Sequence, residues 1–257
     1  MLRSRIIPCL LVHKKGLVKT VNFKDPKYVG DPINAVKIFN EKEVDELIVL
    51  DIDASKEKRG PDFTLIRNLA AECRMPFCYG GGISSVEQAR KIISLGAEKV
   101  ALSSAVIDDP SLCKEIGNAV GVQSVVVVLD VRKRKLLGGY DIFTHNGKVK
   151  SKRKFKEFIV ELNTIGIGEI VVNSIDNDGK MMDYDLELAT LVRGLCDTPI
   201  TILGGAGTLD HIKNLITKFK VIGAAAGSIF VFKGKYRAVL INYPDQQLKE
   251  KFTVFQN

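Results

Sequence analysis

The sequence has few histidines and no closely paired cysteines, and both shortages narrow the chemistry open to it. Its three histidines lie far apart, and its five cysteines show neither a CxxC nor a zinc-finger spacing. We therefore expect no metal ion and no other cofactor. Scattered thiols in a chain of this size are typical of small core side chains in a reducing compartment.

Long apolar runs are also missing. No apolar segment approaches the roughly 20 residues needed to cross a bilayer. The charged start "MLRSRIIPCLLV" is not followed by a small-residue cleavage site and is interpreted as a first strand, so we expect a cytoplasmic protein with no membrane partner. The net charge of +8 favours anionic ligands or an acidic partner. The basic residues are not interleaved with aromatic ones, so nucleic acid is not an expected partner.

The sequence does contain an alternation of short β-rich runs and amphipathic segments of helical length. The predicted strands are Ile6–Val12, Leu47–Asp51, Phe77–Gly80, Lys99–Ser103, Ser124–Asp130, Ile170–Ser174, Ile200–Leu203 and Val221–Ala225. The predicted helices are Pro32–Glu43, Thr64–Glu72, Ser85–Leu95, Pro110–Val120, Arg153–Thr164, Tyr184–Arg193 and Leu209–Lys218, with a capping box at Ser84 and Glu87. Near-continuous apolar strands that alternate with helices favour an α/β fold, a closed (β/α)8 TIM barrel.

A second pattern is an internal repeat. The segment "ELIVLDIDAS" resembles "EIVVNSIDND", and "PFCYGGGIS" resembles "PITILGGAGT", at an offset of about half the chain. This predicts a single domain over residues 1–257 that is built from two half-barrels, about residues 1–122 and 123–257.

Two glycine-rich loops follow strands at matching places in the two halves. Gly80–Gly82 and Gly204–Gly207 each precede a capped helix, and Ser103–Ser104 and Gly227–Ser228 follow the next strand of each half. Glycine lets a ligand approach backbone N–H groups, and the positive end of a following helix favours an anion. Such loops also occur as plain tight turns. Their recurrence predicts two phosphate sites at the carboxyl rim of the barrel and a long substrate with a phosphate at each end.

Acidic side chains end several of the predicted strands. Asp130 ends an apolar run, where burial suits a carboxylate to general acid or base chemistry, although it can also cap a loop or pair with a cation. Asp51 and Asp176 lie at comparable rims and are candidates for orienting substrate hydroxyls. Lys19, on the loop after the first strand, either closes over a phosphate or is a solvated loop lysine. The repeat places Leu11 opposite Asp130.

Together these motifs resemble the cyclase subunit of imidazole glycerol phosphate synthase, HisF, over nearly the whole chain. The resemblance rests on "RIIPCLLV", "LVKTVNF", "GDPINAV", "DELIVLDI", "PFCYGGGI", "VVVVLD", "GEIVVNSIDNDG" and "GGAG". It implies a two-fold-repeated barrel that binds a bis-phosphorylated ribulosyl-aminoimidazole across its mouth. It also implies a heterodimer with a HisH-like glutaminase, docked on the opposite face, whose ammonia splits and cyclises the substrate.

Taken residue by residue, the resemblance assigns roles to most of the candidates. Asp130 matches one of two catalytic aspartates, and Lys19 matches a lysine on a mobile loop. The implied phosphate contacts are Gly82, Ser103, Ser104, Gly179, Gly205, Gly227 and Ser228. The implied ammonia gate, a charged ring at the amino end of the barrel, consists of Arg5, Glu46, Lys99 and Glu169. Their alternative role is ordinary strand-end ion pairing, worth about 0–1 kcal/mol per pair if exposed.

The chain departs from the family at the other catalytic aspartate, which is Leu11 here. General acid–base help typically contributes about 10²–10⁴-fold, so the leucine should cripple the ordinary cyclisation. The segment "DGKMMDYD" stands for the usual "DGT…GYD" and brings Lys180 and Asp183 near the second phosphate loop, and "VKT" replaces "VKG". This pattern resembles a divergent branch, found with bacterial surface-polysaccharide genes, that works with its own glutaminase and a separate sugar amidotransferase.

We therefore expect a HisF-like subunit that takes ammonia from a glutaminase and uses or relays it to turn an acetamido sugar into an acetamidino sugar. One alternative is the histidine-pathway cyclase itself, with His13 in place of the missing acid. A second alternative is a non-catalytic subunit that only activates the glutaminase and guides ammonia onward. A HisA-type isomerase is less favoured, because a charged ring for ammonia has no purpose there.

Overall fold

A computed structural model describes residues 3–136 and 138–253, in which strands and helices alternate as predicted. The strands are β1 (Arg5–His13), β2 (Gly16–Val21), β3 (Lys24–Gly30), β4 (Leu47–Asp51), β5 (Phe77–Gly80), β6 (Lys99–Leu102), β7 (Val125–Lys133), β8 (Tyr140–Thr144), β9 (Val149–Lys154), β10 (Glu169–Ser174), β11 (Ile200–Leu203), β12 (Gly223–Ala226), β13 (Phe232–Lys233) and β14 (Ala238–Val239). The helices are α1 (Pro32–Glu41), α2 (Phe63–Glu72), α3 (Val86–Ser94), α4 (Ser104–Asp108), α5 (Ser111–Val120), α6 (Phe155–Ile165), α7 (Leu186–Arg193), α8 (Leu209–Phe219), α9 (Ser228–Val231) and α10 (Gln246–Thr253), with a 3-10 turn at Val122–Ser124. None of the described helices is both long enough and apolar enough to span a membrane.

Eight of these strands close into a parallel barrel, which confirms the predicted TIM-barrel fold. Their order around the barrel is β1, β4, β5, β6, β7, β10, β11 and β12, and β12 pairs with β1 to complete the circle. The first four come from one predicted half of the chain and the last four from the other. The strands are apolar on both faces, as a parallel sheet covered by helices requires.

The apolar residues form two clusters, one on each face of the barrel sheet. The outer cluster packs strand residues such as Ile6 and Phe77 against helix residues such as Phe39 and Ile66. The inner cluster fills the barrel, which we call the lumen, and consists of Ile7, Cys9, Ile48, Cys78, Ala101, Val126, Val128, Val171, Leu203 and Ala225, with Leu11 and Leu50 packed against it. Successive side chains of a strand point to opposite faces, so Ile6 meets the helices and Ile7 the lumen.

Three hairpins at the carboxyl rim were not predicted. The β2–β3 hairpin continues from β1, the β8–β9 hairpin from β7, and β13 pairs with β14 after α9. Strands β3 and β9 are rich in lysine and mostly exposed, so they lack the apolar pattern that marks a buried strand. The expectation that Lys19 lies on a loop is wrong, because it lies in β2.

The cap of α3 also differs by one residue from the predicted capping box. Ser85 rather than Ser84 is the N-cap, and its side chain accepts a hydrogen bond from the backbone N–H of Gln88 at 3.3 Å. Gln88 Oε1 in turn accepts from the backbone N–H of Ser84 at 2.7 Å. Gln88 thus takes the place expected for Glu87, in a closely similar reciprocal arrangement.

The cysteines occupy positions suited to small apolar side chains. Cys9, Cys78, Cys113 and Cys196 are buried, Cys73 is half-buried, and all five are free thiols. Burial raises the pKa of the Cys9 thiol to about 12, so this side chain is uncharged at neutral pH. In the lumen, Cys9 and Cys78 therefore contribute apolar surface rather than reactive thiolates.

Candidate functional site

The carboxyl ends of the barrel strands surround a deep cavity. Every one of the eight barrel strands, or the loop directly after it, contributes to its lining. The predicted residues that line it are Lys19, Asp51, Gly82, Ser103, Ser104, Asp130, Gly179, Gly205, Gly227 and Ser228. Asp176 does not line it, and the four predicted gate residues lie at the opposite end of the barrel.

Asp130 lies at the end of β7, beside Asn173 on β10, because the two residues are register partners on paired strands. Asn173 Nδ2 donates a hydrogen bond to Asp130 Oδ1 at 3.0 Å. Burial raises the pKa of Asp130 to about 7; the Asn173 hydrogen bond opposes this rise and the Asp178 carboxylate adds to it. A carboxyl group that titrates near neutral pH can accept a proton and return it within one reaction.

The first strand contributes no acid to this cavity. Leu11 lines the cavity with an aliphatic side chain. Its strand, β1, lies across the barrel from β7, which carries Asp130. His13, two residues later, does not line the cavity: its Nδ1 lies 2.8 Å from Asp53 Oδ1, and the backbone N–H of Lys14 donates to the same carboxylate. His13 therefore does not replace the missing acid in this structure.

A second carboxylate lines the cavity, that of Asp178. The strand pattern had predicted Asp176 at this place. Asp178 Oδ2 accepts a hydrogen bond from Thr20 Oγ1 at 3.0 Å, and burial raises the pKa of Asp178 while Lys19 lowers it. Asp176 Oδ2 instead accepts from the backbone N–H of Lys133 at 2.9 Å. The tight turn after β10, closed by a bond from the Asp178 N–H to the Ser174 carbonyl, produces this exchange. Asp176 and Asp178 both lie in the segment "SIDNDG". The strand pattern does not show which of the two side chains points into the cavity, because both residues lie in the turn after the strand.

Asp51 lines the cavity, but its carboxylate already has several partners. Arg59 donates to both of its oxygens at 2.8 Å, and the backbone N–H of Asp53 donates at 3.0 Å. These bonds hold the loop between β4 and α2 in place. Asp51 is therefore better suited to shaping the rim than to transferring a proton.

The β2–β3 hairpin folds over the cavity and places the Lys19 ammonium group inside it. Lys19 Nζ donates to the carbonyl oxygen of Cys9, and burial lowers the pKa of Lys19 while Asp178 opposes that change. Asn22 Nδ2 donates to the carbonyl oxygens of Ile175 and Asp176, at 2.7 and 2.9 Å, and so fixes the tip of the hairpin to the loop after β10. The structure therefore shows the hairpin closed, with the amino group of Lys19 buried inside the cavity.

The turn of the β8–β9 hairpin covers the other side of the cavity. His145 and Asn146 line the cavity there, and Asn146 Nδ2 donates to the carbonyl oxygen of Ile52 at 2.9 Å. Neither His145 nor Asn146 is among the residues predicted from the sequence. The dipeptide Asn146-Gly147 is typical of a tight hairpin turn and was the available signal.

The two glycine loops bring backbone to the cavity at equivalent places, as the repeat predicts. Gly82 and Gly205 both have positive φ, and an ideal Cβ on Gly205 would lie 1.9 Å from the Asp183 carbonyl oxygen. The segment "DGKMMDYD" thus packs against the second loop through Asp183, whereas Lys180 is exposed. Gly227 differs, because its ideal Cβ would meet the end of the Lys19 side chain, 2.2 Å from Nζ.

This difference between the glycines is testable. Gly205→Ala is expected to lower the free energy of unfolding by roughly 2 kcal/mol or more, since its Cβ meets rigid backbone at a positive φ. Gly227→Ala, with ordinary φ, should cost less than about 1 kcal/mol because a flexible lysine can move aside. Urea denaturation of both variants checks this, and equal losses would contradict the view that the Cβ at Gly227 mainly meets the movable end of Lys19.

At the amino end of the barrel, the four predicted gate residues form a closed ring of ion pairs. Arg5 bonds to Glu46 and, at 2.8 Å, to Glu169, while Lys99 Nζ bonds to the same two carboxylates at 2.7 and 2.9 Å. Each glutamate is only 3% exposed. Burial opposes ionisation, but Arg5 and Lys99 together lower the pKa of Glu169. The apolar lumen begins directly above this charged ring.

Comparison with known proteins places these features in a family. The sequence profile described as histidine biosynthesis protein matches residues 5–237. A protein of Vibrio vulnificus, provisionally named imidazole glycerol phosphate synthase subunit hisF3, is 57% identical over 98% of this chain and 96% of its own length. A Leptospira borgpetersenii protein with a provisional HisF name is 52% identical over 97% and 98%. The imidazole glycerol phosphate synthase subunit HisF of Streptococcus mutans is 37% identical over 90% and 91%.

Proposed function

The chain belongs to the HisF family of histidine biosynthesis proteins, and on that premise we propose that it is the ammonia-using barrel subunit of a glutamine-dependent synthase. A HisH-like glutaminase docked at the amino end of the barrel supplies the ammonia. The barrel uses it, or relays it to a separate sugar amidotransferase, in the conversion of an acetamido group on a surface-polysaccharide sugar into an acetamidino group.

The observation that carries this proposal is a complete charged ring combined with an incomplete acid pair. The ring lies at the amino end of the apolar lumen, and at the carboxyl end the cavity has Asp130 but Leu11 in place of the second aspartate. Arg5, Glu46, Lys99 and Glu169 are all present and mutually bonded. The side chains above them are apolar, so the lumen favours neutral NH3 over hydrated ammonium. We infer that ammonia crosses this packed apolar interior when the ring opens and is consumed in the cavity or beyond it.

The cavity offers the groups that nitrogen transfer requires. A nitrogen that attacks carbon must lose a proton, and Asp130 is placed to accept it because its pKa of about 7 leaves it partly ionised at neutral pH. The glycine loops at Gly82 and Gly205 and the buried Lys19 suit anionic groups at the ends of a substrate. Leu11 and Leu50 form an apolar part of the cavity wall. Such a surface can contact the methyl group of an acetamido substituent, but it cannot transfer a second proton.

One observation favours the histidine-pathway cyclase as a second candidate. Asp178 places another carboxylate in the cavity, and its buried position raises its pKa as it does for Asp130. Asp178 is therefore a candidate for the second catalytic acid, in place of the aspartate that is replaced by Leu11. The names of the relatives from Vibrio vulnificus and Streptococcus mutans agree with this candidate.

Leu11→Asp separates the two candidates when the bis-phosphorylated ribulosyl-aminoimidazole is supplied with ammonium salts. If the cavity has diverged, the wild type should turn over slowly and the variant about tenfold faster or more, because one general acid–base group contributes about 10²–10⁴-fold. Leu11→Asn is the matched control, since it is similar in shape but transfers no proton. Near-normal wild-type turnover that Leu11→Asp leaves unchanged would support the cyclase instead.

The direct experiment reconstitutes the barrel with a HisH-like glutaminase and a sugar amidotransferase. Amide-labelled ¹⁵N-glutamine and a candidate acetamido sugar are supplied, and mass spectrometry follows the label into the sugar. We expect label in an acetamidino product only when the barrel is present. Equal labelling without the barrel would refute the proposal.

A further inference from the structure

The side chain of Asn173 has a buried oxygen with no hydrogen-bond partner. Asn173 is 5% exposed, and its Oδ1 is one of two such orphaned side-chain atoms among the described residues; the other is the Tyr79 hydroxyl. Its Nδ2 is engaged by Asp130, which fixes the amide with the oxygen turned away from that carboxylate. Buried acceptors in folded proteins nearly always have a donor, so this oxygen calls for a ligand.

The orphaned oxygen lies where the lumen opens into the cavity. Asn173 lines the cavity, and Val171, two residues earlier on the same face of β10, belongs to the inner apolar cluster. Gly204 keeps the neighbouring space open, because an ideal Cβ there would lie 2.9 Å from Asn173 Oδ1. A ligand that comes up the lumen therefore meets this oxygen together with the carboxylate of Asp130, the register partner of Asn173.

The side-chain oxygens at this point require a hydrogen-bond donor, since the amino group of Lys19 in the same cavity already donates to the Cys9 carbonyl oxygen. Asn173 Oδ1 and an ionised Asp130 can only accept hydrogen bonds, and the nearby lining side chains Val128 and Leu203 offer no polar group. Ammonia carries three N–H donors and one lone pair, which matches this set. Water and a substrate hydroxyl also donate, and both reach this oxygen from the mouth; ammonia is the donor that arrives through the apolar lumen, which disfavours a file of water.

We propose that Asn173 is the docking residue for ammonia, whose N–H donates to Asn173 Oδ1 as it leaves the lumen. The lone pair of the bound NH3 then faces the cavity and its substrate. This inference rests on the proposed function for the source of the ammonia, and it names the residue that receives it. It assigns a binding role to Asn173, distinct from the proton transfer assigned to Asp130.

The binding test follows the side-chain amide of Asn173 by NMR in the full-length barrel labelled with ¹⁵N-asparagine. Asn173→Ser identifies the resonance by its loss. Titration with ammonium chloride is expected to shift it saturably, whereas sodium chloride at equal ionic strength and tetramethylammonium chloride should not. The other asparagine amides in the same spectrum are internal controls.

The kinetic test uses whichever ammonia-dependent reaction the reconstituted complex performs. Asn173→Leu, similar in size but without an acceptor, should raise the KM for ammonia about tenfold, and it should also lower kcat because it removes the hydrogen bond to Asp130. Asn173→Ser retains an oxygen acceptor and should recover part of the affinity. Thermal denaturation confirms that each variant is folded, and a loss of kcat without a change in KM would contradict the proposal.

The outcomes distinguish this inference from the proposed function. A saturable shift with ammonium chloride supports the docking role even if no sugar is turned over. Turnover of the sugar with no response of Asn173 to ammonium chloride, and with unchanged KM in Asn173→Leu, would leave the function standing and overturn the docking role. A response to substrate alone would assign the oxygen to a substrate hydroxyl and overturn it as well.

Discussion

Asp130→Asn is expected to lower ammonia-dependent product formation by about 10²–10⁴-fold, because Asp130 is the cavity carboxyl group best placed to exchange a proton. The substitution keeps the shape of the side chain and its hydrogen bond from Asn173 Nδ2. Only the proton-accepting charge is removed. The effect should therefore fall on kcat rather than on the binding of the phosphorylated substrate.

The same substitution is expected to stabilise the protein above pH 7. Burial raises the pKa of Asp130 from 3.8 to about 7, so the folded state binds this proton more tightly than the unfolded state does. The stabilising effect of the proton is complete below about pH 4 and is lost as pH rises through 7, where folding must bury a charge. Asparagine never ionises, so the variant should gain at most about 4 kcal/mol at pH 8 and much less at pH 5.

Urea denaturation at pH 5 and pH 8, together with turnover of the reconstituted complex, measures both effects. Asp109→Asn is the matched control, since Asp109 is an exposed carboxylate that bonds to Ser111 and lies outside the cavity. It should leave turnover unchanged. Full product formation by Asp130→Asn would favour the non-catalytic assembly subunit over an enzyme.

Arg5→Met is expected to lower the free energy of unfolding by about 3–5 kcal/mol, the cost of breaking a buried ion pair from one side. Glu46 and Glu169 are each 3% exposed, and only Lys99 of the ring would remain to neutralise them. The variant should also lose part of the glutamine-derived ammonia to solvent before it reaches the cavity. Glutamine-dependent product formation should fall, whereas product formed from added ammonium salts should persist.

The ratio of these two activities is the informative measurement, because a general loss of folded protein lowers both. Lys37→Met is the matched control for stability: Lys37 pairs with Glu72 at 3.6 Å on the exposed surface, and its loss should cost about 0–1 kcal/mol. An Arg5→Met complex that keeps the wild-type ratio would show that the ring does not control the passage of ammonia.

The barrel could be predicted from the sequence because its strands are buried on both faces. Runs such as "VVVVLD" are apolar without alternation, and the observed β4, β5 and β11 have the predicted bounds. The hairpins could not be predicted in the same way. Residues such as Lys24 and Lys152 are exposed, so their strands are defined by hydrogen bonds to neighbours rather than by a hydrophobic pattern.

The cavity was predictable where function depends on strand ends and less so where it depends on turns. Asp130 continues a strand, so its inward direction follows from alternation along β7. Asp178 lies in a turn, where one residue of shift changes the direction of a side chain. Asn173 lies within the repeated segment "EIVVNSIDND", but an amide in an apolar strand indicates no particular chemistry, and the missing partner of its oxygen is what identifies it.

Strand β1 carries Arg5 at one end, and at the other end it pairs with the hairpin that covers the cavity, where Leu11 is the partner of Val18. Nine residues of extended chain measure roughly 26 Å, so this one strand reaches from the amino end of the barrel to its carboxyl end. The guanidinium of Arg5 at the amino end of the barrel and the hairpin over the cavity are thus joined by one uninterrupted strand.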